Sequence, residues 1–327
     1  MFIYAGIDEA GYGPMFGPFV IARSVFAIND LNPPSNDGPP DLWQILDRAL
    51  CKKANDRRQR LAINDSKKLY SPSTGLARLE RGVLTMLALA GHTPNTLDQF
   101  IEAVALDSES RVPDILWYTD PAGGPTLPTI LTDGQLAITR AQLTRAAVEA
   151  NVALPHLCAA IIFEDRFNTM VKATRSKART AWTFIGRHIY EVWQAFGQHH
   201  PWIVVDRQGG RRVYHEQLEQ MFEHAEVQLI DESEDISRYR VTHADRSAII
   251  SFEVESEINN LPVALASMTA KYTRELLMTR FNAFWKSHHP ALKPTAGYVQ
   301  DGRRFLRDIE IHIDRLNIDR SALIRAR

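Results

Sequence analysis

Apolar residues run along this chain in two rhythms. The first is a set of short continuous runs that stop abruptly. Residues 3–7 are apolar or small, end on Asp8 and Glu9, and are followed at once by Gly11, Gly13, Pro14, Gly17 and Pro18. Such a run bounded by Gly and Pro reads as a buried strand ending at a tight turn. Residues 19–28 form a second run, predicted to pair antiparallel with the first across that turn. Residues 202–206 repeat the layout: a β-branched run, one acid (Asp206), then Gly209 and Gly210. This predicts a second buried strand, a parallel neighbour of the first. Three more strands are expected over 226–230, 238–243 and 248–255.

The second rhythm is helical. Asp41 offers an N-cap for a short helix carrying Trp43, Ile45, Leu46 and Leu50. Longer helical patterns cover residues 74–89, 136–151, 167–196 and 214–222. Pro262 opens another over 263–287, whose first turn of small residues suits close packing, and a final helix carries Arg303, Arg304 and Arg307. Residues 29–41 are rich in Pro, Asn and Asp and predict a loop, and 92–153 shift toward Pro, Gly, Thr and Asp.

Composition narrows the class. The chain has 327 residues, 45% hydrophobic and 24% charged, which suits one or two globular domains. No apolar run approaches the roughly 18 residues of a membrane span. The N-terminus lacks a basic n-region and cleavage site, and Cys51 and Cys158 offer neither a disulfide framework nor metal-ligand spacing. A cytoplasmic location is therefore expected. The net charge of −1 means that a nucleic-acid partner would need locally gathered positive charge. The most basic segment is 167–196, with Lys172, Arg175, Lys177, Arg179 and Arg187. It reads either as a solvated helix face or as a surface for a phosphate backbone. Trp182 and Trp193, within it, read as core.

The acids carry the chemistry. Two carboxylates at a buried strand end are costly to desolvate unless a cation sits between them, which points to a divalent metal site. A lone Asp-Glu pair more often marks a solvated turn. Asp206 is a natural third ligand. Glu253, Glu255 and Glu257 share one face if their strand continues that far, and an acidic edge in water is the competing reading. His288 and His289 read as solvated or helix-capping residues.

Asp8-Glu9-Ala10-Gly11, Asp65-Ser66-Lys67-Lys68-Leu69, Val204-Val205-Asp206, the nine residues from Ser267 to Glu275, and Gly297-Tyr298 follow in order. This series resembles that of type 2 ribonucleases H (ribonuclease HII). The resemblance implies an α/β, ribonuclease H-like fold: a mixed five-stranded sheet flanked by helices, with a C-terminal helical extension. It implies a core over 1–91 and 154–290, an insertion (lid or subdomain) over 92–153, and a helical region over 291–327 walling the substrate groove. It further implies a monomeric endoribonuclease acting on RNA–DNA hybrids or ribonucleotides embedded in duplex DNA. Its catalytic and metal ligands would be Asp8, Glu9, Asp206 and Glu257, with Glu255 the fallback for the fourth, holding two Mg²⁺ or Mn²⁺ ions. Substrate contacts would come from Gly11, Tyr12, Gly13, Ser66, Lys67, Lys68, Lys271 and Tyr298.

Two departures stand out. The family's Gly-Arg-Gly or Gly-Lys-Gly is Gly11-Tyr12-Gly13 here, and the family's fourth aspartate maps to Glu257. The alternative is a catalytically weak or inactive nucleic-acid-binding member of the fold. A DNA junction resolvase is a third reading, against which the Asp65 and Ser267 segments speak.

Overall fold

The computed structural model describes residues 1–29, 31, 38–71, 75–119, 124–207 and 209–326. Most of the expected 29–41 loop, and Thr74 at the start of the expected 74–89 helix, lie outside these.

The chain opens on strand β1 (Phe2–Ala10) and turns into β2 (Phe19–Ile28). Asp41 caps helix α1 (Leu42–Ile45), accepting from the amides of Trp43 and Gln44, as the sequence predicts. A two-residue parallel pair follows, β3 (Leu50–Cys51) with β4 (Leu61–Ala62). Then come α2 (Ser66–Leu69), α3 (Ala77–Leu89), α4 (Leu97–Val104) and α5 (Asp133–Glu149). Strand β5 (Val152–Ile162) leads into α6 (Glu164–Thr174) and α7 (Lys177–Phe196). The single helix expected over 167–196 is broken: Arg175 adopts left-handed backbone (φ 54°), and Ser176 caps α7 by accepting from Arg179 N.

Beyond β6 (Trp202–Asp206) and α8 (His215–Met221), three strands run in sequence: β7 (Glu226–Glu232), β8 (Ile236–His243) and β9 (Arg246–Glu253). The chain finishes with α9 (Leu261–His288), α10 (Val299–Arg315) and α11 (Arg320–Leu323).

The main sheet has the order β5-β2-β1-β6-β9-β8-β7. β1 pairs antiparallel with β2 and parallel with β6, and β6 pairs parallel with β9. The sheet has seven strands where five are expected, and the antiparallel β7–β8 hairpin forms its end beyond β9. Parallel central strands need covering on both faces. Two apolar cores do this, one under α9 and α3 and one under α7.

The contact between β1 and α9 is unusually close. A Cβ on Gly6 would lie 2.1 Å from the amide nitrogen of Val263, so the strand backbone rests directly on the first turn of the helix. Ser24 on β2 donates to the Pro262 carbonyl at 2.8 Å from the same side. Residues 92–153 feed the same core: Phe100, Ile101, Leu136 and Leu143 are buried in it. Buried Glu80 on α3 ties this segment down, accepting from the amides of Thr129, Ile130 and Leu131 and from the Tyr272 hydroxyl of α9.

Candidate active site

Strand alternation decides which acid faces which way. Asp8 lies on the α9 side of β1, with Tyr4, while Glu9 follows Ile7 toward α7. Asp206 ends β6. The β1–β6 pairing is parallel, so both strands bring their acids to the same end of the sheet.

Asp8 is buried, and its Oδ1 accepts from Glu9 N at 2.6 Å. Burial, then the charges of Asp206 and Glu9, push its carboxyl well above the usual range, against hydrogen bonds from Ser267 and the Glu9 amide. Asp206 accepts from Ser256 N at 3.2 Å and Ser256 Oγ at 3.0 Å, and burial raises its pKa too.

β9 ends at Glu253, so Glu253, Glu255 and Glu257 do not share a strand face. Glu255 is exposed in left-handed backbone (φ 48°), starting a short 3₁₀ turn, Ser256–Ile258. That turn folds Glu257 back to Asp206. Glu257 is buried, its Oε2 has no hydrogen-bond partner, and burial followed by the charges of Asp206 and Asp65 raises its pKa. Glu253 is occupied with Ser251 and Asn260.

The Asp65–Leu69 segment closes over this cluster. Asp65 caps α2, accepting from Lys67 N at 2.9 Å, and Ser66 Oγ accepts from Ser267 Oγ at 3.0 Å. The exposed Lys67 ammonium is shifted downward by burial, but the charges of Asp65, Asp8, Glu257 and Asp206 together outweigh this and raise it. Lys67 thus lies within the field of all four of these acids. Lys68 is exposed beside it.

Among the described residues no three His, Cys, Asp or Glu side chains are spaced to hold a metal ion as they stand. The donor set is nonetheless the one a hard divalent cation takes: carboxylate oxygens, buried, mutually repelling, one of them unpartnered. The residues fit such an ion in kind, and drawing them together on it would relieve their repulsion.

The Gly11–Gly17 loop stands beside the acids. Gly11 and Gly17 have φ of 83°, and a Cβ on Gly11 would meet Arg274 Cδ at 2.6 Å. Gly13 faces open space. Tyr12 is 38% exposed and packs edge-on against Phe19 at 5.7 Å.

The far wall comes from α9 and the segment after it. Lys271 pairs with Glu275 at 2.8 Å and lies 4.8 Å from the Tyr70 ring. Tyr298, 51% exposed, has the Arg274 guanidinium 5.9 Å from its ring. Of the basic positions on α6 and α7, Arg187 is committed to Asp107 and Glu191, whereas Lys172, Arg175 and Arg179 are exposed.

Three residues that hold the loop and its surroundings escaped the sequence reading. Arg274 sits inside a recognised motif, yet its burial and its bonds to the Phe16 and Ala296 carbonyls are tertiary facts. Arg325 is buried and donates to the Gly11 carbonyl at 2.5 Å and the Tyr12 carbonyl at 2.9 Å. Glu164 accepts from Gly17 N and the Tyr118 hydroxyl, both at 2.9 Å. Proximity in sequence signals neither of the last two.

No helix among the described residues is long and apolar enough to cross a membrane. No model of a known protein family matches the chain, and no curated protein matches it. Solved structures do. Ribonuclease HII from Archaeoglobus fulgidus, in complex with PCNA, is 14% identical with a TM-score of 0.41, over 99% of this chain and 94% of that one. Aquifex aeolicus RNase H3 is 13% identical with a TM-score of 0.42, over 98% and 70%. Ribonuclease H2 from Pyrococcus horikoshii OT3 is 14% identical with a TM-score of 0.36, over 98% and 92%. The chain is similar to these ribonuclease H structures over nearly its whole length.

Proposed function

We propose that this protein is a divalent-metal-dependent endoribonuclease of the type 2 ribonuclease H kind. Its substrates would be RNA–DNA hybrids or duplex DNA with embedded ribonucleotides. The observation that carries the reading is the delivery of Asp8 and Asp206 to one end of two parallel neighbours, with Glu257 folded back onto them. Burial raises the pKa of Asp8, Asp206 and Glu257, and the charge of Asp206 raises the other two further; such acids cost stability, and a cation-dependent reaction is a reason to keep them.

Asp8, Glu9, Asp206 and Glu257 would hold Mg²⁺ or Mn²⁺, which supplies an activated water and charge stabilisation at the leaving oxygen. Ser256, by donating twice to Asp206, fixes that carboxylate's orientation. The Ser267 hydroxyl lies between Asp8 and Ser66 Oγ and can turn its single proton to the carboxylate. Lys67 stands where it can hold a phosphate oxygen once the acids are neutralised. The exposed ring of Tyr298 offers a face to a sugar, and the open side of Gly13 lets a strand approach the backbone, where a 2′-hydroxyl can be read.

The test is cleavage of a labelled DNA duplex containing one ribonucleotide, beside an RNA–DNA hybrid, in Mg²⁺, Mn²⁺ or EDTA. Metal-dependent cutting by the wild type, lost in Asp8→Asn, supports the nuclease. Retained duplex binding without cutting in either metal would replace it with the non-catalytic reading.

A further inference from the structure

A cavity of about 220 Å³ opens directly beside the candidate carboxylates, between α7 and the ends of β6 and β9. Its polar lining comprises Glu9, Asp206, Gly209, Gly210 and Arg211. Its walls are aromatic: Trp182, Tyr214, Phe252 and, from the glycine loop, Tyr12. Tyr214 and Phe252, both buried, stack with ring centroids 3.6 Å apart and planes 4° apart and back this wall, while Trp182 and Tyr12 present the more exposed rings. Trp182 leans over that wall, 5.9 Å from Tyr214 and 6.0 Å from Phe252.

We propose that this cavity takes one unpaired nucleobase of the strand lying across the candidate active site. The volume is below the roughly 300–1,000 Å³ of pockets for drug-sized ligands, so it suits one flat ring system and not a base pair. Flat aromatic walls bind any base through its π-face. The rim selects against other apolar guests. A fatty acid would bring its carboxylate toward Glu9 and Asp206, which repel it. The edge of a base, with donors and acceptors together, answers Arg211 and the acids at once. A base inside a duplex has both faces stacked, so the occupant must be extruded or single-stranded. The nuclease reading enters only in naming the polymer.

The probe is 2-aminopurine, whose fluorescence falls on stacking. It would be presented to the whole protein in metal-free buffer as the free riboside, as a single bulged base in duplex DNA, and as a paired base. Saturable quenching is expected with the riboside and the bulge, and none with the paired base. Trp182→Ala should weaken binding about 5- to 150-fold, the effect of removing one base-stacking ring. Ala178→Trp fills the mouth from an exposed position on α7 and should abolish binding without lowering Tm. No saturable quenching by the wild type, or equal quenching in Ala178→Trp, overturns the assignment. Binding with no cleavage would count against the nuclease alone, and cleavage with no binding against the cavity alone.

Discussion

Arg325 donates from Nη1 to the carbonyl of Gly11 at 2.5 Å, joining residues 314 positions apart. Its Nη2 takes the Tyr12 carbonyl, and its guanidinium stacks 4.1 Å from the Phe167 ring. The loop beside the acids is therefore held from behind by the segment after α11. Arg325→Ala leaves those carbonyls without donors and should cost about 3 kcal/mol in urea unfolding. Arg325→Lys should recover only part, because an ammonium lacks the planar fork. Hydrogen exchange at residues 11–17 should quicken in both.

Glu164 supplies a pH dependence. Burial raises its carboxyl from 4.5 to about 7. The folded state thus binds a proton more tightly than the unfolded one, and stability is lost as pH rises between those values. The loss is about 3 kcal/mol. Glu164→Gln should flatten this part of the curve, as measured by urea midpoints at pH 5 and pH 8.

Glu257 and Glu255 can be told apart. Glu257→Ala should cut metal-dependent cleavage at least about 100-fold, since a displaced ligand is poorly tolerated. Glu255→Ala, at an exposed residue, should leave the rate within about twofold. The reverse pattern would move the fourth carboxylate to Glu255.

Tyr12→Arg should restore a cation at the loop tip. Duplex affinity at low salt should rise, and the slope of log K against log salt should steepen by about one unit, read by fluorescence anisotropy across a salt series. Quenching of 2-aminopurine should weaken in the same variant, because Tyr12 lines the cavity.

The sheet's centre was legible because its strands are apolar runs ended by acids and glycines. Residues 3–7 and 202–206 read from the sequence as parallel neighbours, and β1 and β6 pair in that way. β5 was not read as a strand. Pro155 interrupts it and its first half alternates irregularly between buried and exposed, as an edge strand permits. The break at Arg175 was hidden because α6 and α7 carry continuous helical periodicity, and only a backbone reversal separates them. Glu257 was reached by counting within the resemblance. The strand face it was placed on does not exist, because β9 stops four residues earlier. Arg325 and Glu164 act across the fold: Glu164 reaches Gly17, 147 residues away, and Arg325 reaches Gly11, 314 away, and no local pattern marks such partners.

Gly6 sets a spacing as well as a contact. With Val263 N where its Cβ would be, the distance from strand to helix is fixed by bare backbone, with no side chain to compress or repack. Asp8 lies two residues along the strand from that point, and Ser267 one helical turn along α9. The pair is therefore aligned as two marks on rulers clamped at a single notch. Even a methyl group at position 6 would slide the rulers apart and blunt both marks together, though it touches neither residue.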